Sequence, residues 1–143
     1  MPRKGLTLLE LIVVIIVIGV VASLALPRFF RLVEFSKSVE AIQSIGVIRD
    51  SMERCYMAAS DYAQCRLNSP GLGPDSLDVE NPGTAFNAHF GYRVNIAGAP
   101  FKYRITATRN TLDGGTAGGT ITFIYRQDGS VTRSGTGAFS GIK

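Results

Sequence analysis

The chain changes its hydrophobic pattern three times. From Leu6 to Leu26 nearly every residue is apolar, and Glu10 is the one charge in those 21 residues. A helix of that length reaches about 31 Å, enough for a hydrocarbon core about 30 Å thick. From Arg28 to about Ala59 the apolar positions thin to steps of three and four: Leu32, Phe35, Val39, Ile42, Ile45, Ile48, Met52, Cys55 and Ala59. That spacing predicts one stripe of an amphipathic helix, with Arg31, Glu34, Lys37, Glu40, Arg49, Asp50, Glu53 and Arg54 on its wet side. Pro27 removes one backbone bond and predicts a kink, with Gly19 as the second weak point, rather than a stop. Residues 60–89 lose all period and carry Pro70, Gly71, Gly73, Pro74, Pro82 and Gly83, so they read as a connecting loop.

From Phe90 the period becomes two. Phe101, Tyr103, Ile105 and Ala107 alternate with Lys102, Arg104, Thr106 and Thr108, which predicts a half-buried strand. Thr120 to Arg126 reads as a second, and Gln127-Asp128-Gly129-Ser130 as a turn from which Val131 to Arg133 pairs back. Phe90 to Ile96 supplies a fourth. The tail from Ser134 to Lys143 is small and glycine-rich, and the sequence assigns it no structure. The expected fold is α+β: a long N-terminal helix, membrane-spanning and then amphipathic, packed on a small antiparallel sheet of about four strands.

At 143 residues the chain has room for one domain besides the anchor. The apolar share of 45% argues against general disorder, and a net charge of +4 is too thinly spread to demand a nucleic-acid partner. Two cysteines and one histidine cannot build the usual zinc sites, and neither metal nor cofactor is expected. Residues 114–119 are glycine-rich but lack the Gly-Lys-Ser/Thr ending of a phosphate loop. His89 has no visible catalytic partner, and Asp113 and Asp128 have no calcium-loop spacing. No constellation supports an enzyme. Cys55 and Cys65 fall at the helix end and in the following loop; outside the cytoplasm they would be bridged, and inside it they would be two free thiols.

The N-terminus resembles the class III signal of type IV pilins and type II secretion pseudopilins. Lys4-Gly5, Leu6-Thr7-Leu8-Leu9-Glu10 and the apolar helix behind them carry the resemblance. It implies a leader of residues 1–5, a polymerisation helix over 6–27 and a globular head over 28–143. It implies cleavage between Gly5 and Leu6 by a prepilin peptidase, and N-methylation of Leu6, where the family more often has phenylalanine. It also implies that Glu10 pairs with the freed amine of a neighbouring subunit. Cutting creates that amine and removes Arg3 and Lys4, taking side-chain charge from +4 to +2. The implied partners are other copies of the chain in a helical filament, other pilins, the peptidase, the inner membrane before assembly and the pilus or secretion machinery. Arg3 and Lys4 predict a cytoplasmic N-terminus in the bacterial inner membrane, from which the subunit passes to a periplasmic or extracellular filament.

Several readings compete. Ser23-Leu24-Ala25 offers a signal-peptidase site, which Glu10 and the helix continuing past Pro27 oppose. Within the family, a secretion pseudopilin stands beside the pilus subunit. From another class, a DNA-binding competence pilin would use Arg93, Lys102, Arg104, Arg109, Arg126 and Arg133 near Tyr92, Tyr103 and Tyr125; a solvated sheet face is the commoner meaning of such residues.

Overall fold

A computed structural model describes residues 5, 7–67, 77–96 and 98–143. Two helices, α1 (Leu8–Ser36) and α2 (Ser38–Ala59), follow one another. Lys37 between them keeps helical dihedrals (φ −65°, ψ −19°), so helix runs from Leu8 to Ala59. The chain divides into two compact units, 1–34 and 35–143.

The described part of the first unit is mainly α1, which has no buried residue. Helix α1 continues through both Gly19 and Pro27. Pro27 has no N–H for the carbonyl four residues back, so the ladder lacks one bond there. Its large apolar side chains from Leu8 to Leu26 are all exposed, from 41% at Ile12 to 76% at Leu8.

The second unit packs α2 on an antiparallel sheet of strands β1 (Phe90–Ile96), β2 (Phe101–Arg109), β3 (Thr120–Arg126) and β4 (Val131–Gly135), in the order β1-β2-β3-β4. All three pairings are between sequence neighbours, the simplest result of short connections. The alternation read from the sequence matches the pleat: Tyr103, Ile105 and Ala107 of β2 and Ile121, Phe123 and Tyr125 of β3 are buried. Helix α2 closes that face with Ala41, Ile45, Ile48 and Met52.

The amphipathic stripe departs from expectation. The buried residues of α2 are Ser38, Ala41, Ile45, Ile48, Ser51 and Met52, while Phe35, Val39 and Ile42 stay 38–56% exposed, and Leu32 66%. At about 100° per residue, each step of three falls about 60° short of a full turn. Three such steps in succession, Val39–Ile42–Ile45–Ile48, swing the stripe to the opposite side of the helix. Only its second half meets the sheet.

The tail is a second correction. Strand β4 extends to Gly135, a short 3-10 turn covers Gly137–Phe139, and Phe139 is fully buried against Phe90, ring centroids 5.5 Å apart. Ile142 packs on the same core. The chain can turn back because Gly135 has no side chain: a Cβ there would lie 1.9 Å from the Phe139 carbonyl oxygen.

Candidate functional site

Two regions carry polar chemistry: the start of α1, and the seams where loops meet α2 and the sheet.

Helix α1 begins with a reciprocal cap. The Glu10 N–H donates to the Thr7 hydroxyl oxygen (3.2 Å), while the Thr7 N–H (3.3 Å) and hydroxyl (3.2 Å) both donate to Glu10 Oε2. The Leu11 N–H completes the first turn on the Thr7 carbonyl (3.2 Å). This is the Thr-x-x-Glu capping box, which satisfies two helix-end donors at once. The acid therefore has a structural partner within the helix, signalled in the sequence by the Thr7-x-x-Glu10 spacing. Oε1 takes none of these bonds. Gly5 is described and exposed; Leu6, with the cleavage and methylation expected there, lies outside the described residues. Among the described residues, one helix is long and apolar enough to cross a membrane by length and composition.

In the head, Cys55 and Cys65 form a disulfide with Cα atoms 5.9 Å apart. It ties the end of α2 to the segment after it, where Tyr62–Gln64 makes a 3-10 turn capped by Asp61. Beside the bridge, Glu53 accepts hydrogen bonds from Tyr62 (2.8 Å) and Tyr103 (2.7 Å), with Lys102 at 3.9 Å. Burial first, and then the Glu53 carboxylate, push both phenols well above the ordinary tyrosine range. They stay neutral donors that fasten helix, loop and β2 together.

Two further seams hold loops. Arg54 donates twice to Asp78 (2.6 and 2.9 Å) and Ser51 donates to the same carboxylate. The Arg54 contact, followed by the Ser51 hydroxyl, holds the Asp78 carboxyl down to about 2. His89 joins α2 to the β2–β3 loop: Nδ1 lies 2.7 Å from Glu40 and Nε2 lies 2.6 Å from Asp113. Contact with His89, and then the charge of Lys37 at 3.7 Å, lowers the Asp113 carboxyl. Asp128 accepts from the Ser130 N–H (2.8 Å) and shapes the β3–β4 turn. Both loop aspartates are thus engaged within the chain. Among the described residues no three His, Cys, Asp or Glu side chains gather to hold a metal.

The basic residues singled out in the strands do not share one surface. Arg109 is 1% exposed; it donates to the carbonyls of His89, Asn110 and Leu112 and to the Asn110 side chain, organising the β2–β3 loop from inside. Gly115 is required beside it, since a Cβ there would lie 2.2 Å from the guanidinium. Lys102 lies over the Tyr62 ring, and Arg133 over Phe123. Tyr92, Tyr103 and Tyr125 are buried in the core. None of these three tyrosines therefore offers the exposed ring on which a single-stranded base stacks.

These features define a class: an exposed apolar helix carrying a disulfide-bonded helix-on-sheet head. Comparison with known proteins narrows it. Residues 1–26 match the family described as a prokaryotic N-terminal methylation motif. The type IV major fimbrial protein FimA of Dichelobacter nodosus is 27% identical over 105 residues, covering 73% of this chain and 65% of that protein. The type IV major pilin protein PilA of Myxococcus xanthus is 27% identical over 107 residues, 74% of this chain and 44% of that protein. A fimbrial protein of Moraxella nonliquefaciens is 27% identical over 122 residues, 80% and 75% of the two chains. The chain therefore spans less than two thirds of the length of the first two relatives. The motif and the relatives together support the type IV pilin family for this chain.

Proposed function

We propose that the chain is a structural subunit of a type IV pilus. It is cleaved between Gly5 and Leu6, methylated on the new Leu6 amine, held in the inner membrane by α1 with its N-terminus cytoplasmic, and then polymerised through that helix. The observation that carries this reading is the first part of α1: the apolar run from Leu8 to Leu26 has no buried residue, and its single acid, Glu10, sits in a cap directly behind Gly5. Apolar surface of this extent must be covered by lipid or by other copies. Glu10 Oε1 accepts no hydrogen bond among the described residues, and an amine freed at Leu6 of another subunit is a suitable partner. Relatives named as fimbrial proteins and a pilin favour a pilus over a secretion pseudopilus.

Glu10→Ala tests the pairing. The substitution makes the anchor more apolar and leaves Gly5 in place, so insertion and cleavage should persist. Filament yield should fall severely, because the freed amine is left unpaired in apolar surroundings. Thr7→Ala, which removes the cap but not the acid, should be the milder variant. Normal filaments from Glu10→Ala, measured against processed subunit in the membrane, would refute the pairing.

A further inference from the structure

The outer face of the sheet carries a groove that neither the apolar helix nor the core explains. It has a volume of about 570 Å³ and is lined chiefly by Gly83, Gly91, Arg93, Asn95, Thr106 and Thr108, within the about 300–1,000 Å³ of small-ligand sites. Its shape follows from two glycines. Gly83 lets the 3-10 turn Pro82–Thr84 lie on β1, since a Cβ there would sit 3.0 Å from the Gly91 Cα and the Phe90 carbonyl oxygen. Gly91 leaves the floor bare: a Cβ there would meet nothing within 4 Å.

Its chemistry is selective. Arg93 is exposed and has no ion pair or hydrogen bond among the described residues. No residue of any strand is Asp or Glu, so no strand carboxylate neutralises that guanidinium. Arg104, the Cα partner of Asn95, sets a second exposed guanidinium beside it. Threonine hydroxyls and the Asn95 amide supply groups that both donate and accept. Most side chains along the groove are polar, which favours a ligand rich in hydrogen-bonding groups over a purely apolar one. A nucleotide base finds no outward aromatic ring among the strand tyrosines, which are buried. A polyhydroxylated ring bearing one carboxylate matches: the guanidinium fork takes the carboxylate in two parallel bonds, and hydroxyls and amide take the ring hydroxyls.

The geometry points to a carbohydrate site: the groove binds an acidic sugar residue of the uronic-acid type within a glycan chain, with Arg93 holding the carboxylate, Thr106, Thr108 and Asn95 holding hydroxyls, and Arg104 placed for the next acidic unit. The site stands whether or not the chain polymerises.

Titration of the full chain in neutral detergent with oligogalacturonate tests it, beside a neutral oligogalactan and a duplex oligonucleotide. Saturable binding of oligogalacturonate alone is expected, weakened at least tenfold by Arg93→Gln. Gly91→Val fills the floor without changing charge and should abolish binding while the melting temperature holds. Arg49→Gln, which removes a cation paired with Asp50 on α2, should bind as the parent does. No saturable binding up to about 10 mM, equal binding by both groove variants, an equal loss in Arg49→Gln, or tighter binding of the duplex would each overturn the proposal.

Discussion

Single residues in this head act mainly by holding loops to α2. Asp78 shows the consequence for pH. Its carboxyl is held down to about 2 by Arg54 and then Ser51, against an ordinary value of about 3.9. A group depressed in the folded state contributes stability above its unfolded value and loses it as pH falls through the folded one. The contribution is therefore present at neutral pH and disappears between about pH 4 and about 2. Because the pair is exposed, solvent screening keeps it modest. Asp78→Asn should lower the melting temperature at pH 7 and should show a shallower fall than the parent across that acid window, as followed by circular dichroism. The capping box was legible as Thr7-x-x-Glu10. The buried Arg109 was not, because its role depends on carbonyls that only the folded loop brings together. The same holds for His89, whose partners lie 49 and 24 residues away.

At the scale of elements, the sequence carried the strands almost to their ends. Alternation survives wherever one face is buried and the other wet, as along β2 and β3. The helix stripe was legible as a period but not as a direction. A succession of three-residue steps keeps an apolar period while turning the face away from the sheet. That account predicts unequal costs for similar truncations. Ile48→Ala, at 0% exposure, should destabilise by about 2–5 kcal/mol. Val39→Ala, at 56%, should change stability by about 0.5 kcal/mol or less. Equal costs in chemical denaturation would show that the stripe faces the core along its whole length. The tail was missed for a related reason. Its buried anchor, Phe139, stands among small residues with Ile142 alone at helical spacing, too little to show a period, and its burial depends on a reversal at Gly135. Phe139→Ala should cost about 3–5 kcal/mol.

At the scale of the whole molecule, burial separates two units with different needs. Residues 35–143 contain every residue of the buried core and the disulfide, whereas α1 has no buried residue and owes its stability to what surrounds it. A chain beginning at Phe35 should be soluble and should melt cooperatively; a random-coil spectrum would mean that the head folds only with its anchor. The N-terminal signal was the most legible functional feature because its chemistry is local: glycine, acid and apolar run lie within one stretch of chain. The outer groove was not legible, since Gly83, Arg93 and Thr106 meet only after β1 pairs with β2 and the 3-10 turn lies on β1.

The central claim is that the chain is processed and assembled as a pilin, and the mature N-terminus tests it most directly. Mass spectrometry of the protein isolated from membranes and sheared filaments should find a chain beginning at Leu6, with one methyl group on its amine. A mature chain beginning near Leu26, the product of cleavage after the small residues at the end of the apolar run, would remove the helix on which assembly depends and contradict the account.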